Sequence, residues 1–357
     1  MQGVIPTDSV DRERLVASAR AGGEFLVHIL RGDGSFTYEL DPWRTTASRT
    51  AYNVVRHAGT AAALFELAAA TGDDRFTQAG VRAMHHLAGW YRPGAQAGLT
   101  YVLDKDGKGK LGAAGLALLA LSRKLELAPE DADREAALGI GRQIVDMQQP
   151  DGSFDSYLPI LGTEAAGSVS LYYPGEAMLG LARVARLGIG DDFMANAHRG
   201  ADFLITSRQG KDRLPPDAWL MQALDVLYLD AAKPAYVEHA LAIARSMLSD
   251  QHEEGAPPVF VGGFRPEPIR STRTSARAEG LVAAYRLAER AGDARAPDVL
   301  AKTARTAPHL LAMQYNLDNS FFLDDPDAVV GAMRGLCQDI RCPRVAGPLP
   351  STKGRPQ

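Results

Sequence analysis

Net charge, cysteine and long hydrophobic runs are scarce in this chain of 357 residues. No uncharged apolar run reaches the roughly 18 residues of a membrane-spanning helix, so membrane insertion is not expected. The formal charge of −4 is small for the length and argues against a general nucleic-acid binder. Cysteine occurs twice, as Cys337 and Cys342. The two either close a small disulfide loop in an oxidising compartment or remain thiols near a loose tail. No second Cys or His pair stands beside them, so no zinc site is expected, and no other metal or cofactor cluster is visible. The opening residues, Met1 to Pro6, lack the basic and apolar segments of a secretory signal. A periplasmic or secreted setting, with any signal removed, is the expectation; the cytoplasm is the alternative. Strand patterns are rare, and the stretch 347–357 is polar and proline-rich, which favours disorder.

Helix patterns are abundant. Hydrophobic residues make up 46% of the chain and recur at three- and four-residue spacing. The spacing predicts helices over 10–30, 51–72, 74–92, 111–126, 131–149, 171–188, 191–208, 216–230, 233–250, 274–291, 294–313 and 327–336. Thr71-Gly72-Asp73-Asp74, Gly188 to Asp192 and Ala291-Gly292-Asp293 each join a glycine stop to an aspartate cap. The helices pair as 51–92, 111–149, 171–208, 216–250 and 274–313, a helical-hairpin array with a period of about 40–60 residues. In each pair the first helix is apolar nearly all round, as over 61–70 and 116–121, and suits an inner position. The second is amphipathic and suits an outer one. Helix 10–30 reads as a further outer helix whose inner partner would come from the C-terminal segment. A loop also repeats: Gly32-Asp33-Gly34-Ser35-Phe36, Gln149 to Phe154, and a degenerate copy at Leu317 to Phe321. Its aspartate and glycine make the turn, and its phenylalanine can plug the edge of the core.

The loop Gln148-Gln149-Pro150-Asp151-Gly152-Ser153-Phe154 resembles the Q-x-x-D-G-S-W/F turn of α/α-toroid proteins. That group includes terpene cyclases, prenyltransferase β subunits and several polysaccharide lyases. Five or six hairpins with polar inner-helix starts also resemble the six-hairpin (α/α)6 glycosidases. The resemblance covers about residues 10–336 and implies an all-α fold, an (α/α)5–6 toroid. One catalytic domain over 1–336 and a tail over 337–357 are therefore expected. A shared fold does not fix the chemistry. Asp324-Asp325-Pro326-Asp327 lies in a proline-containing loop, unlike a cyclase magnesium motif. The cysteines lie in the tail, unlike a prenyltransferase or lanthionine-cyclase zinc set. Carbohydrate chemistry remains.

Inner-helix starts meet at one mouth of such a ring. The five openings are Asn53 to Gly59, Lys110 to Ala114, Tyr172 to Glu176, Asp217 to Gln222 and Arg277 to Gly280. Trp43, Tyr52, Tyr172, Tyr173 and Trp219 offer flat rings that suit pyranose faces. Arg265, Arg270, Arg273 and Arg277 stand in one segment leading to an inner helix, and Arg56 and Lys110 start two others. Guanidinium groups bind carboxylates through paired hydrogen bonds, so an anionic, uronate-containing polysaccharide is the expected partner. Neither nucleic acid nor an obligate protein partner is expected, and the chain reads as a monomer.

Two mechanisms fit. In β-elimination, the proton beside the uronate carboxylate is removed while that carboxylate is neutralised. Asn53, Arg56 and His57 share one helix face, because they stand three and four residues apart. Toroid lyases use a similar Asn or Arg neutraliser with His and Tyr, which implies these three with Tyr172 or Tyr173. The toroid would also accommodate a lyase of the Vi capsular type. In glycoside hydrolysis, an acid and a second carboxylate are required. Glu176, Asp217 and Glu279 supply carboxyls at inner-helix starts. Uronate epimerisation would share the proton-abstraction step, and a non-catalytic glycan-binding toroid is the alternative outside enzymes. Elimination is the preferred expectation, because the arginine segment and the Asn-Arg-His cluster serve it directly.

Overall fold

The computed structural model describes residues 10–42, 46–47, 52–158 and 170–337. Trp43, Cys342 and the segment 347–357 lie outside the described residues. Helices dominate in the order α1 (Arg12–His28), α2 (Val54–Thr71), α3 (Asp74–Ala88), α4 (Leu111–Leu127), α5 (Asp131–Asp146), α6 (Tyr173–Ala185), α7 (Phe193–Ser207), α8 (Ala218–Tyr228), α9 (Pro234–Leu248), α10 (Ser271–Arg290), α11 (Ala296–Ala304), α12 (Thr306–Met313) and α13 (Leu317–Ser320). Strands are two or three residues long and pair only locally, as Tyr91–Pro93 with Thr100–Val102.

The inner helices α2, α4, α6, α8 and α10 pack side by side in that order. The even spread of alanine, leucine and glycine around them permits this, since a helix buried on several sides needs apolar residues on several faces. In α4 every residue from Leu111 to Ser122 is buried. Each inner helix reaches its outer partner through a short turn: Gly72 and Asp73 alone separate α2 from α3. The return from outer to inner helix is long, for example 89–110 between α3 and α4. All five inner helices therefore start on the face that carries the long loops.

Outer helices are held by polar staples as well as by apolar stripes. Lys124 of α4 is buried and donates to both carboxylate oxygens of Asp133 in α5, each at 2.8 Å. In the repeated loops, Asp33 and Asp151 accept from the backbone and hydroxyl of Ser35 and Ser153. Gly34 and Gly152 take left-handed φ of 81° and 94°, which side chains disfavour. Phe36 and Phe154 are buried, as the loop pattern implies. The third copy differs: Leu317–Ser320 is a single helical turn, and Phe321 is 74% exposed.

The C-terminal expectation needs correction. No helix forms over 327–336. Gly331 adopts φ of 88°, and the backbone N–H groups of Gly331 and Arg334 donate to Tyr315 O and Met313 O. Those backbone groups are thus taken by a neighbouring segment rather than by a helix of their own. Leu336–Cys337 pairs antiparallel with Ile269–Arg270. Among the described residues, α1 packs on α2, and the C-terminal α12 touches both α10 and α1, which closes the circuit. The expected helix 294–313 is divided into α11 and α12 at Arg305.

Candidate active site

Accessible positions along one face of each of four inner helices outline the ring interior. They fall at helical spacing: Arg56, Thr60, Ala63 and Glu66 on α2; Tyr173 and Arg183 on α6; Trp219 and Gln222 on α8; Ala276 and Glu279 on α10. The first position of each row lies at the mouth.

Glu176 sits one turn into α6, on the same face as Tyr173 and Arg183. It is only 5% exposed. Its Oε2 is buried and has no hydrogen-bond partner. Gly112 of α4 makes the space: a Cβ there would stand 2.2 Å from Glu176 Oε2 and 2.4 Å from the Tyr173 ring. Burial, and then the charge of Asp217, push the Glu176 carboxyl up to about 8. Removing a carboxylate from water disfavours its charged form. Glu176 is therefore a protonated acid at neutral pH.

Tyr173 packs edge-on against Tyr157, with ring centroids 6.2 Å apart. Burial raises its hydroxyl to about 12, helped by Tyr157 and Glu176, so it is a proton donor rather than a base. Tyr172 is 44% exposed beside it. Trp219 is partly exposed one helix further round, against the Gly175 backbone. Lys110 reaches the mouth but pairs with Asp104 at 2.9 Å. Glu279 is accessible to water yet enclosed by protein; that confinement, with Glu66 nearby, pushes its carboxyl up to about 7.

Other expected site residues are occupied elsewhere. His57 is buried with both ring nitrogens engaged. Its Nε2 is 2.8 Å from Ala83 O, which can only accept, so Nε2 carries the proton. Its Nδ1 is left to accept from the Tyr52 hydroxyl at 2.7 Å, and that hydroxyl in turn accepts from the Phe36 N–H at 2.9 Å. Burial lowers the imidazole to about 4, so it is neutral. Asn53 caps α2 by accepting from the Arg56 N–H. Arg56 donates to Tyr38 Oη at 2.6 Å and lies over its ring. The cleft beside this cluster holds about 150 Å³, below the roughly 300–1,000 Å³ usual for ligand sites. The helix-sharing geometry predicted from spacing is present, but it holds α2, α3 and the Phe36 loop together.

Asp217 is corrected from the binding set. It is fully buried, caps α8 through the Leu220 N–H at 3.1 Å, and pairs with Arg208 at 2.7 Å. Burial pushes its carboxyl up, while Arg208 opposes this. Arg277 is also buried: it donates to Asp250 Oδ2 at 3.2 Å and Arg265 O at 3.3 Å. Arg273 donates to Pro266 O at 2.5 Å. These two brace the segment 250–270. Arg265 and Arg270 are exposed at its surface and pair with no carboxylate among the described residues. Sequence reasoning missed Gln222, Arg183 and Glu66. Gln222 had a signal, since it stands three residues beyond Trp219 on the same face.

No protein-family model matches the chain, and no curated protein matches it in sequence. Solved structures do match. A D-mannose isomerase aligns with 12% identity over 84% of this chain and 87% of its own, at a TM-score of 0.61. An unsaturated glucuronyl hydrolase specific for heparin gives 13% identity, 85% and 86% coverage, and 0.60. Cellobiose 2-epimerase from Bacillus thermoamylovorans B4167 gives 10%, 82% and 86%, and 0.59. All three are (α/α)6 toroids. This chain is an α/α toroid. The toroid has five inner helices among the described residues, where a full ring has six. Among these residues, no group of three or more His, Cys, Asp or Glu is arranged to hold a metal ion. No described helix is long and apolar enough to cross a membrane.

Proposed function

We propose that this toroid is a carbohydrate-processing enzyme that hydrolyses a glycosidic bond in an acidic saccharide, with Glu176 as the proton donor. The observation that carries this is the buried, partnerless Glu176 carboxyl, which holds its proton up to about pH 8 at the mouth of the ring. A general acid works best when its pKa lies near the working pH. The proton of Glu176 passes to the glycosidic oxygen as the bond from that oxygen to the anomeric carbon breaks. Water then adds to the anomeric carbon and gives its proton to Glu279, the second carboxyl of the ring interior, whose group is pushed up to about 7, and the Glu176 carboxylate regains a proton from solvent. Trp219 and Tyr172 provide the flat faces for sugar rings. Arg265 and Arg270, which pair with no carboxylate among the described residues, suit a uronate carboxylate. Likeness in shape to an unsaturated glucuronyl hydrolase, an isomerase and an epimerase supports carbohydrate chemistry in general.

β-Elimination is the second reading. The same two arginines favour it, because they would neutralise the uronate carboxylate. It lacks a base: His57 has both nitrogens occupied, and the Tyr173 hydroxyl is pushed up to about 12.

Incubation with hyaluronan, alginate and polygalacturonate separates the two. Reducing ends are expected without the ultraviolet absorbance of an unsaturated uronate, and Glu176→Gln is expected to lower the rate by at least about 100-fold. Chromophore rising together with reducing ends would establish elimination instead. Full activity in Glu176→Gln would remove the carboxyl from the mechanism.

A further inference from the structure

The interior of the ring below Glu176 is polar. Glu66 of α2 bonds Arg123 of α4 at 3.1 Å and approaches Arg183 of α6 to 3.9 Å. Helices α2 and α6 flank α4 rather than each other, so the Glu66–Arg183 pair spans the ring interior. On the other side, Asp225 of α8 pairs with Arg290 of α10. Each of the five inner helices thus contributes a charged side chain, and Arg183 feels both Glu66 and Asp225, which joins the two pairs into an ionic floor. From Glu176 to Arg183 along α6 is seven residues, or about 10 Å of helix rise.

Between mouth and floor, two polar side chains have unmet bonding capacity. Gln222 Nε2 is buried without a partner. Glu279 is accessible to water and has no ion pair or hydrogen bond among the described residues. A third group, Nε of Arg183, is buried and unpartnered in the floor itself. Amide, carboxyl and guanidinium groups are the usual ligands of sugar hydroxyls, and buried polar groups left unpaired in a native fold call for an explanation.

We infer that the ring interior between Glu176 and this ionic floor is a subsite for one terminal sugar residue, whose hydroxyls bind Gln222 and Glu279. The inference rests on the proposed function and goes beyond it, because it makes the enzyme exo-acting. A chain end enters from the mouth and stops at the Glu66–Arg183 pair. The bond cut is the one that lies at Glu176, between the enclosed residue and the rest of the chain. Arg265 and Arg270 then meet the portion of the chain outside the ring.

The test uses hyaluronan, alginate and polygalacturonate oligosaccharides of two to six units, labelled at the reducing end. Binding is followed by calorimetry and products by chromatography. Affinity is expected to stop growing at two or three units, and only the terminal residue is expected to be released. Gln222→Ala and Glu279→Gln are each expected to weaken binding by about tenfold, the size of one lost hydrogen bond to a polar ligand. Their helix content should match the parent and their melting temperature should not fall below it, Glu279→Gln gaining some stability because the raised Glu279 carboxyl is gone, which separates lost binding from lost folding. Mid-chain products, or affinity that rises steadily to six units, would overturn the exo subsite and leave hydrolysis intact. Binding that saturates at two units with no cleavage at any pH would keep the subsite and overturn the proposed hydrolysis. Failure of every oligosaccharide to bind would overturn both.

Discussion

Replacing Glu176 by glutamine is expected to stabilise the protein, and increasingly so as the pH rises. The folded carboxyl titrates at about 8, whereas the ordinary value is 4.5. In the unfolded chain it ionises near 4.5, so between these two values the folded state holds one proton more. Stability then falls as pH rises, by up to about 1.4 kcal/mol per pH unit, and levels off above about 8. Over a shift of roughly 3.5 units the difference approaches 4–5 kcal/mol, an upper figure for a group this deeply buried. Glutamine has nearly the same shape and no charge, so it removes this slope. The assay is urea unfolding followed by far-ultraviolet circular dichroism at about pH 5, 7 and 9. The gap between variant and parent should be small at the lowest pH and should widen by several kcal/mol at the highest. Parallel pH profiles for the two proteins would show that Glu176 titrates normally, and the account of its protonated state would fail. A gain in stability from removing a catalytic group is the usual sign that the group was held in an unfavourable setting for chemistry.

His57→Ala is expected to cost about 2–4 kcal/mol, since it strands the Tyr52 hydroxyl and Ala83 O and opens space beside Phe36 and Trp90. Its turnover per folded molecule should stay within about twofold of the parent, whereas a catalytic base would lose far more; calorimetric melting and active-fraction kinetics check both halves. Arg208→Met leaves Asp217 buried without a counter-charge and should destabilise by about 3–5 kcal/mol, measured by chemical unfolding. A loss below about 1 kcal/mol would mean that Asp217 is neutral in the fold.

The helices were legible because local rules set them. Asp73 caps α3 where the sequence places a cap, and Gly72 stops α2 where a glycine stop is expected. The side-by-side ring follows from inner helices that are apolar on several faces, which is also a sequence property. What a side chain bonds to is not. His57 and Asp217 have the residue types of a catalytic set, but Ala83 O and Arg208 claim them, and nothing in the local pattern marks those partners. The environment of Glu176 depends on Gly112, which lies on another helix. A glycine in an apolar helix reads as a weak point; its effect on an acid 64 positions away appears only when α4 meets α6. The C-terminal helix over 327–336 was misread because its apolar spacing is outweighed by pairing with Met313 and Tyr315. Among the arginines, spacing could not tell the two that brace their own loop, Arg273 and Arg277, from the exposed Arg265 and Arg270.

The most direct test of the central claim is the pH dependence of kcat/KM for the best-cleaved uronate oligosaccharide. A rate controlled by protonated Glu176 is expected to fall tenfold per pH unit above about 8, and the residual rate of Glu176→Gln should show no such fall. A parent profile that stays level to about pH 10, or a variant that reproduces the parent's decline, would contradict Glu176 as the proton donor.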